Sequence, residues 1–249
     1  MILSLSQKNT NKKPNHWLKK GGLSYEISTI DTGGGMSPDK EYSGRARIRM
    51  YNCDCMELMQ SGKTWDLAIV DPPFGIGDFE QGAGKNKPIK KWEINWNEKT
   101  PDKEYFDLLL QISDKHIIWG ANYYNCFTTG GAIVWDKSVT HPDMSKAEIA
   151  ATNLFKKVDV LKIEWNGFLR CEKVETIHPC QRPVKLHKEL LTNYAKPGQT
   201  ILDTHGGSMS IAIACWDLGF DLDIIELDED YFNNAVKRFE QHISQTQLF

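Results

Sequence analysis

The bulk properties of this chain exclude a membrane-spanning protein and argue against one that coats nucleic acid nonspecifically. Its 249 residues are 40% hydrophobic and 25% charged, and no apolar run approaches the ~18 residues of a transmembrane helix. The formal net charge of −3 is too acidic for nonspecific coating of a polyanion. The length accommodates one large α/β domain with an insertion.

The cysteines and the amino end indicate a cytoplasmic protein. Six cysteines are scattered along the chain, and only Cys53 and Cys55 lie close together, at a spacing that suits neither a zinc pair nor a redox CxxC motif. Nothing at the amino end resembles a signal peptide. We therefore expect reduced thiols, no metal site and a cytoplasmic location.

The sequence predicts a polar arm at the amino end, followed by the main domain. Residues 1–44 are polar and rich in glycine, which is typical of an extended or partly disordered arm. The domain is predicted over residues 45–243, with a short tail at 244–249. It opens with a strand from Arg47 to Tyr51, after which Asp54 begins a segment with helical character.

The most informative stretch is the apolar run Leu67–Val70 and the Asp71-Pro72-Pro73-Phe74 turn that ends it. Each proline fixes φ and lacks an N–H, so the turn is stiff, rich in acceptors and poor in donors. Asp71 and the Pro72 carbonyl can accept both hydrogens of an exocyclic amine while Phe74 stacks on its ring. The pattern indicates a nucleobase site, and an ordinary strand-ending turn is the alternative.

The segment after this turn is basic, and beyond it the sequence again shows the hydrophobic periodicity of helices and strands. Lys85, Lys87, Lys90 and Lys91 form a cluster that predicts either a DNA contact or a solvated loop. A helix is predicted from a cap at Thr100-Pro101, followed by strands at His116–Gly120 and Ala132–Trp135. Residues 137–178 break this rhythm and are predicted to form an inserted recognition element.

The last seventy residues read as a β-α-β-α unit of the doubly wound type. A helix at Val184–Lys196 precedes a strand at Thr200–Asp203 and a glycine-bearing turn. The unit continues with a helix at Met209–Leu218, a strand at Asp221–Leu227 and a final helix that Asp228 caps.

The glycine turn and the following acid suit a nucleotide-like ligand. In doubly wound units the ligand sits past the carboxyl ends of the strands, and Glu226 lies about 20 residues after the turn, where an acid can bind ribose hydroxyls. The turn is neither GxGxxG nor a P-loop, so a phosphate cradle is not expected. S-adenosylmethionine, with an adenosine and a carboxylate, fits the helix amino end, although an ordinary turn remains the alternative.

Taken together, these segments resemble the DNA amino-methyltransferases. Asp71-Pro72-Pro73-Phe74 matches the family's D-P-P-Y/F/W motif, and Glu226-Leu227-Asp228 matches its E-x-D. The segment 203–210 matches D-P-F-x-G-S-G-T in part, with Thr204-His205 in place of Pro-Phe and Met209 in place of glycine. The segment 178–184 resembles H-P-T-Q-K-P-V, with Arg182 in place of lysine. The motif order resembles that of the permuted β class, whose recognition region lies between the two motifs.

The resemblance implies a Rossmann-like, S-adenosylmethionine-dependent fold with a circularly permuted motif order. It implies transfer of a methyl group to adenine N6 in double-stranded DNA, a homodimer, and a bacterial or phage-infected cell as the setting, with the protein at the nucleoid. The implied catalytic residues are Asp71, Pro72, Pro73 and Phe74. The implied cofactor residues are Asp54, Gln181, Arg182, Asp203, His205, Gly206, Gly207, Ser208, Glu226 and Asp228.

Three rival functions and one short motif stay open at this point. Cytosine N4 is the first rival target, although that branch more often begins its motif with serine. An RNA or protein methyltransferase usually begins it with asparagine and is not permuted. The third rival, which Met209 suggests, is a protein that binds DNA or cofactor without catalysis. The terminal Gln245–Phe249 resembles a sliding-clamp docking peptide, and a frayed tail is the alternative.

Overall fold

The apolar run that ends at Val70 forms a strand near the middle of a large sheet. Its alternate side chains feed two different cores, with Leu67 and Ile69 on one face and Ala68 and Val70 on the other. A strand that is buried on both faces has no solvent side, which explains why its sequence is continuously apolar. The computed structural model describes residues 16–20, 23–27, 36–77, 97–124, 130–139, 145–166, 169–172 and 174–245.

Thirteen strands and five helices occur within these described ranges. The strands are β1 (His16–Lys20), β2 (Leu23–Ile27), β3 (Lys40–Ser43), β4 (Arg47–Tyr51), β5 (Trp65–Val70), β6 (Ser113–Trp119), β7 (Gly131–Asp136), β8 (Ala147–Thr152), β9 (Val158–Lys162), β10 (Trp165–Asn166), β11 (Leu169–Arg170), β12 (Thr200–Asp203) and β13 (Asp221–Ile225). The helices are α1 (Cys55–Met59), α2 (Lys103–Ile112), α3 (Val184–Tyr194), α4 (Ser210–Leu218) and α5 (Glu229–Gln245).

Eleven of the strands form one sheet in the order β1-β2-β3-β4-β13-β12-β5-β6-β8-β7-β9, and β10 and β11 form a separate hairpin. The central strands β4, β13, β12, β5 and β6 are parallel. β8 runs antiparallel to both β6 and β7. Because the central strands are parallel, their carboxyl ends meet at one edge of the sheet.

A topological switch point lies between β12 and β5. These neighbours pair Ile201 with Leu67 and Leu202 with Ala68. After β12 the chain passes through α4 to β13 on one side, and after β5 it passes through α2 to β6 on the other. The two connections diverge and leave a crevice past the strand ends, which is where ligands bind in open α/β sheets.

Helices cover both faces of the sheet. Side chains of α3, α4 and α5 pack with Ile48, Leu67 and Ile117 in one core. Side chains of α1 and α2 pack with Ala68 and Val70 in the other. None of the helices in the described ranges is long and apolar enough to cross a bilayer.

The predicted elements of the doubly wound unit are confirmed with small changes of boundary. The helix predicted from Val184 ends at Tyr194, and Asp228 caps α5 by accepting a hydrogen bond from Tyr231 N at 2.9 Å. The predicted cap of α2 is wrong, because Asp102 rather than Thr100 accepts the capping hydrogen bond, from Tyr105 N at 3.1 Å. Asp102 is a better cap because its carboxylate reaches the third helical N–H.

Two of the predicted regions share residues with the main sheet. β3 lies within the predicted arm, and its Tyr42 is fully buried in the core, so the sheet begins before residue 45. β8 and β9 lie within the predicted insertion 137–178 and are strands of the main sheet. A recognition role for the rest of that segment stays a prediction.

A buried carboxylate ties three strands together beneath the site. The Asp223 side chain in β13 is fully buried and accepts hydrogen bonds from Arg49 Nε at 2.5 Å and Trp65 Nε1 at 2.7 Å. Lys63 forms an ion pair with Oδ2, the same oxygen that accepts from Trp65. The contact joins β13 to its neighbour β4 and, past β12, to β5. The groups involved lose their partner if Asp223 is removed.

We expect Asp223→Ala to lower the free energy of unfolding by about 3 kcal/mol. This is the lower end of the range for a broken buried ion pair, since Arg49 and Lys63 keep partial access to water. Urea unfolding measures the change. Asp114→Ala, an exposed strand position, is the control and should cost less than about 0.5 kcal/mol. Equal effects of the two substitutions would contradict this account.

Candidate active site

Asp71 stands directly after β5, at the switch point, and its carboxylate is held by a buried guanidinium. Its Oδ2 forms an ion pair with Arg182, whose other terminal nitrogen lies 2.5 Å from Glu148 Oε2. Asp71 Oδ1 is buried and has no hydrogen-bond donor within the described residues. One oxygen of the carboxylate is therefore anchored, and the other remains as an acceptor for a ligand.

Burial and charge act in opposite directions on these two acids. Burial raises the pKa of Asp71 to about 6, although Arg182 lowers it and Glu148 raises it further. Glu148 is also buried, but Arg182 and Lys137 outweigh that burial and bring its pKa to about 2. Asp71 consequently titrates close to neutrality, while Glu148 stays ionised.

The Pro-Pro turn is held rigid by two polar side chains. Tyr124 donates its hydroxyl hydrogen to Pro72 O at 2.6 Å and Pro73 O at 3.0 Å. Asn97, which is buried, accepts from Phe74 N at 2.9 Å and donates to Gly77 O at 2.9 Å. The Pro72 carbonyl predicted to accept the target amine thus already has one donor, and its second lone pair remains.

The Phe74 ring is enclosed by aromatic and backbone groups. It stacks on Tyr123 with ring centroids 4.8 Å apart and an interplanar angle of 14°. On another side it lies so close to Gly120 that a Cβ there would sit 2.2 Å from Phe74 Cε1. Tyr123 keeps 45% of its surface exposed, so this ring is the movable member of the stack.

The glycine turn packs against Glu226 and against β13, the strand that precedes Glu226. Glu226 Oε2 accepts from Gly207 N at 2.7 Å, and its Oε1 accepts from Asp228 N at 2.9 Å. Gly206 packs against β13, where a Cβ would come within 2.9 Å of Ile224. A carboxylate has about four lone-pair positions, so each Glu226 oxygen retains one for a ligand hydroxyl.

A hydrogen-bonded chain links α2 to the glycine turn. Tyr105 and Thr204 hydroxyls lie 2.7 Å apart, and the Thr204 hydroxyl lies 2.9 Å from His205 Nδ1. Burial lowers the pKa of His205 to about 4, so its imidazole is neutral at neutral pH. Asp203, the last residue of β12, accepts a hydrogen bond from His205 N at 3.1 Å. Burial raises the pKa of Asp203 to about 7.

A cavity of about 450 Å³ connects the two predicted sites. It lies between the starts of α1 and α2, and its walls include Pro73 of the predicted catalytic turn and His205 of the predicted cofactor turn. The remaining wall residues are Cys55, Met56, Gln60, Lys99, Thr100, Pro101, Asp102, Glu104 and Tyr105. The space is large enough for an adenosine-sized group.

Several of the predicted cofactor residues have partners within the protein, and their role in cofactor binding stays a prediction. Gln181 donates to Glu175 O and accepts from Ile177 N, both at 3.0 Å, so its amide holds its own loop. Arg182 pairs with Asp71 and Glu148, because the loop before α3 lies against β5 and β8. Asp228 caps α5, and its carboxylate is directed to Tyr231 N rather than to the crevice.

Ser208 and Asp54, two more of the predicted cofactor residues, lie beside the crevice. The predicted DNA-contacting lysines and the predicted docking peptide fall outside the described ranges, except for Gln245. The Ser208 hydroxyl is buried and lies 3.1 Å from the Ser210 hydroxyl. Asp54 caps α1 by accepting from Met56 N at 2.9 Å, while its two successors line the cavity. Lys85, Lys87, Lys90 and Lys91 lie outside the described residues, as do residues 246–249 of the tail.

The sequence reasoning missed three polar residues that support the site. Glu148 lies in β8, Asn97 precedes α2 and Tyr124 follows β6. None has a local signal that points to Asp71 or the proline turn, since each reaches it only through the tertiary fold. A polar side chain within an apolar strand is the one available sign, and it applies to Glu148 alone.

Comparison of the sequence with known families gives one match. Residues 121–237 match the N6/N4 family of DNA methylases. The matched range contains the glycine turn, Glu148, Arg182 and Glu226, and it ends within α5. Comparison with curated proteins finds no match.

Solved structures with the same fold include M1.HpyAVI and a DNA methyltransferase. M1.HpyAVI in complex with SAM is 21% identical at a TM-score of 0.52, and the match covers 77% of this chain and 99% of that one. The cytosine-N4-specific PvuII DNA methyltransferase is 11% identical at a TM-score of 0.51, covering 80% of this chain and 92% of that one. At these identities the similarity concerns the fold.

We expect Asn97→Ala to loosen the turn after Asp71. The Phe74 amide loses its acceptor, and a net hydrogen bond of ~1 kcal/mol corresponds to an exchange rate about fivefold faster. Hydrogen exchange of a peptide spanning residues 71–77 measures this. Asn153→Ala is the matched control, because Asn153 accepts from His116 N in the same manner at 3.0 Å. It should accelerate exchange at His116 and leave Phe74 unchanged; the reverse pattern would refute the assignment.

Proposed function

We propose that this chain is a DNA amino-methyltransferase, as the match of residues 121–237 to the N6/N4 family supports. Its proposed reaction is transfer of a methyl group from S-adenosylmethionine to the N6 amine of adenine in double-stranded DNA. The observation that carries the proposal is the Asp71 carboxylate at the switch point. One of its oxygens is anchored by Arg182, and the other lacks a donor within the described residues.

The cofactor site is proposed along the glycine turn and the adjoining cavity. Glu226 retains acceptor positions for ribose hydroxyls beside Gly207, and the cavity at Pro73 and His205 has room for an adenine. When bound there, S-adenosylmethionine supplies an electrophilic methyl group on a sulfonium. Glu226 and the neutral His205 would orient it without placing a second positive charge nearby.

The residues of the proline turn prepare the amine. The lone pair of an aromatic exocyclic amine is delocalised into its ring, which makes it a poor nucleophile. Hydrogen bonds from its two N–H groups to Asp71 Oδ1 and the second lone pair of Pro72 O would localise that pair and aim it. As the nitrogen gains a bond to carbon it becomes cationic, and Asp71 is placed to accept one of its protons.

Phe74 is proposed to hold the base after it leaves the duplex stack. Tyr123 now covers one face of that ring, with centroids 4.8 Å apart. A base inserted between them needs about twice the van der Waals thickness of a ring, so Tyr123 has to swing outward. Its exposure gives it room to do so, whereas Gly120 fixes the other side.

Adenine is favoured over cytosine by the first residue of the motif, an aspartate. Methyl-labelled S-adenosylmethionine, unmethylated genomic DNA and purified protein are incubated, and the labelled nucleoside is identified by mass. We expect N6-methyladenine, with a rate at least about 100-fold lower for Asp71→Asn, which loses the charge that stabilises the transition state. Label in N4-methylcytosine would reject the base, and unchanged activity of Asp71→Asn would reject the role of Asp71.

The cofactor site predicts different effects for its two acids. Glu226→Gln should weaken S-adenosylmethionine binding about tenfold, because an amide places an N–H against one of the two backbone donors and lacks the charge for the ribose. Asp228→Asn should change affinity little, since asparagine caps a helix equally well. Titration calorimetry measures both. Equal weakening by the two substitutions would overturn the assignment of Glu226.

A further inference from the structure

Asp71 ends a row of alternating charges in which Arg182 is buried and the other three side chains are half-buried. Lys137 pairs with Glu148, Glu148 pairs with Arg182 and Arg182 pairs with Asp71. The four side chains come from the end of β7, from β8, from the loop before α3 and from the end of β5. Only 7% of the Arg182 side chain is exposed, so its charge is shared by the two carboxylates with little screening by water.

Arg182 is fixed in this position by more than its charge. Its guanidinium carbon lies 4.9 Å from the centroid of the Trp119 ring, over the ring face. Its carbonyl accepts a hydrogen bond from the Ser210 hydroxyl at 2.7 Å, which ties it to the first residue of α4. A planar guanidinium presents donors to two carboxylates while stacking on an indole, which a lysine ammonium cannot do.

We propose that Arg182 is a positioning residue for the reaction: it holds the Asp71 carboxylate in its ionised form and in a fixed orientation, and Glu148 limits how strongly it does so. This inference rests on the proposed function. Because Arg182 occupies Oδ2, a proton taken up by Asp71 would lie on Oδ1 and place a donor where the amine needs an acceptor. The ordinary effect of burying a carboxylate is to neutralise it, and Arg182 opposes that effect.

The groups that face Asp71 act in known directions. Arg182 and Lys137 lower the pKa of Asp71, and Glu148 raises it. Asp203 at the end of β12 is a further acid nearby. Tyr105 of α2 stays neutral, because burial raises its pKa. Removal of Arg182 and removal of Glu148 should therefore move the titration of Asp71 in opposite directions.

The test uses the pH dependence of methyl transfer and a direct titration. The acid limb of the wild-type profile is expected near pH 6, the pKa of Asp71. Arg182→Gln should move it upward and Glu148→Gln downward, each by about one pH unit, since a charge within 4–6 Å shifts a carboxyl pKa by about 1–3. The ¹³C resonance of the Asp71 carboxyl, identified by its absence from Asp71→Asn, should titrate with the same midpoints.

Two further variants keep the proposal open to refutation. Lys137→Gln should move the midpoint upward by less than Arg182→Gln does, and it serves if the latter fails to fold. Arg182→Lys should keep the midpoint near that of wild type but lower kcat, because it retains charge and loses the bridge. Unchanged midpoints, or the same direction for Arg182→Gln and Glu148→Gln, would overturn the proposal.

The two readouts separate this proposal from the proposed function. If the wild-type protein transfers no methyl group, the function is rejected, and the carboxyl titration still decides whether Arg182 and Glu148 set the charge of Asp71. If it does transfer, but the limb and the carboxyl midpoint do not follow the substitutions, the function stands and the positioning role falls.

Discussion

The site depends on an unfavourable requirement, a negative charge buried at the carboxyl end of a central strand. Desolvation alone would favour the protonated acid at Asp71, and a protonated acid offers a donor where an amine needs an acceptor. The positive charge of Arg182 stabilises the ionised Asp71. Glu148 in turn compensates the buried charge of Arg182, and Lys137 compensates that of Glu148. Each charge is tolerated only because the next is present.

The order of the proline turn and the glycine turn along the chain makes the topology part of this solution. Asp71 and Arg182 are more than a hundred residues apart, as are Leu67 and Ile201, which pair between β5 and β12. The proline turn belongs to the first half of the chain and the glycine turn to the second, so the crevice forms only when both halves are in the sheet. Asp223 shows the same dependence, since its partners at residues 49, 63 and 65 all lie in the first half. Folding and assembly of the site are therefore one event.

What could be predicted from the sequence is what local chemistry determines. The apolar run before Asp71 predicts a buried strand, and the glycine turn followed by Glu226 predicts a β-α-β unit; both are confirmed. The family resemblance implies a cofactor role for Arg182, which stays a prediction, and the fold places its guanidinium between Asp71 and Glu148. Asn97 and Tyr124 stabilise the proline turn from other elements, and Glu148 lies in a strand predicted as part of an insertion. Contacts of this kind follow from register and packing, which no spacing along the chain encodes.

Met209 shows how the fold can absorb a departure from the family motif. Its backbone is left-handed, with φ 51° and ψ 37°, where the family has glycine. A left-handed conformation costs a side-chain-bearing residue roughly 1–2 kcal/mol, whereas complete burial of a methionine side chain returns about 1.5–3 kcal/mol. Met209 is fully buried in the core with α3 and α4, so its side chain points away from the crevice. The substitution that argued for a non-catalytic protein therefore alters the packing beneath the glycine turn and leaves the walls of the cavity and the Glu226 contacts to Gly207 unaffected.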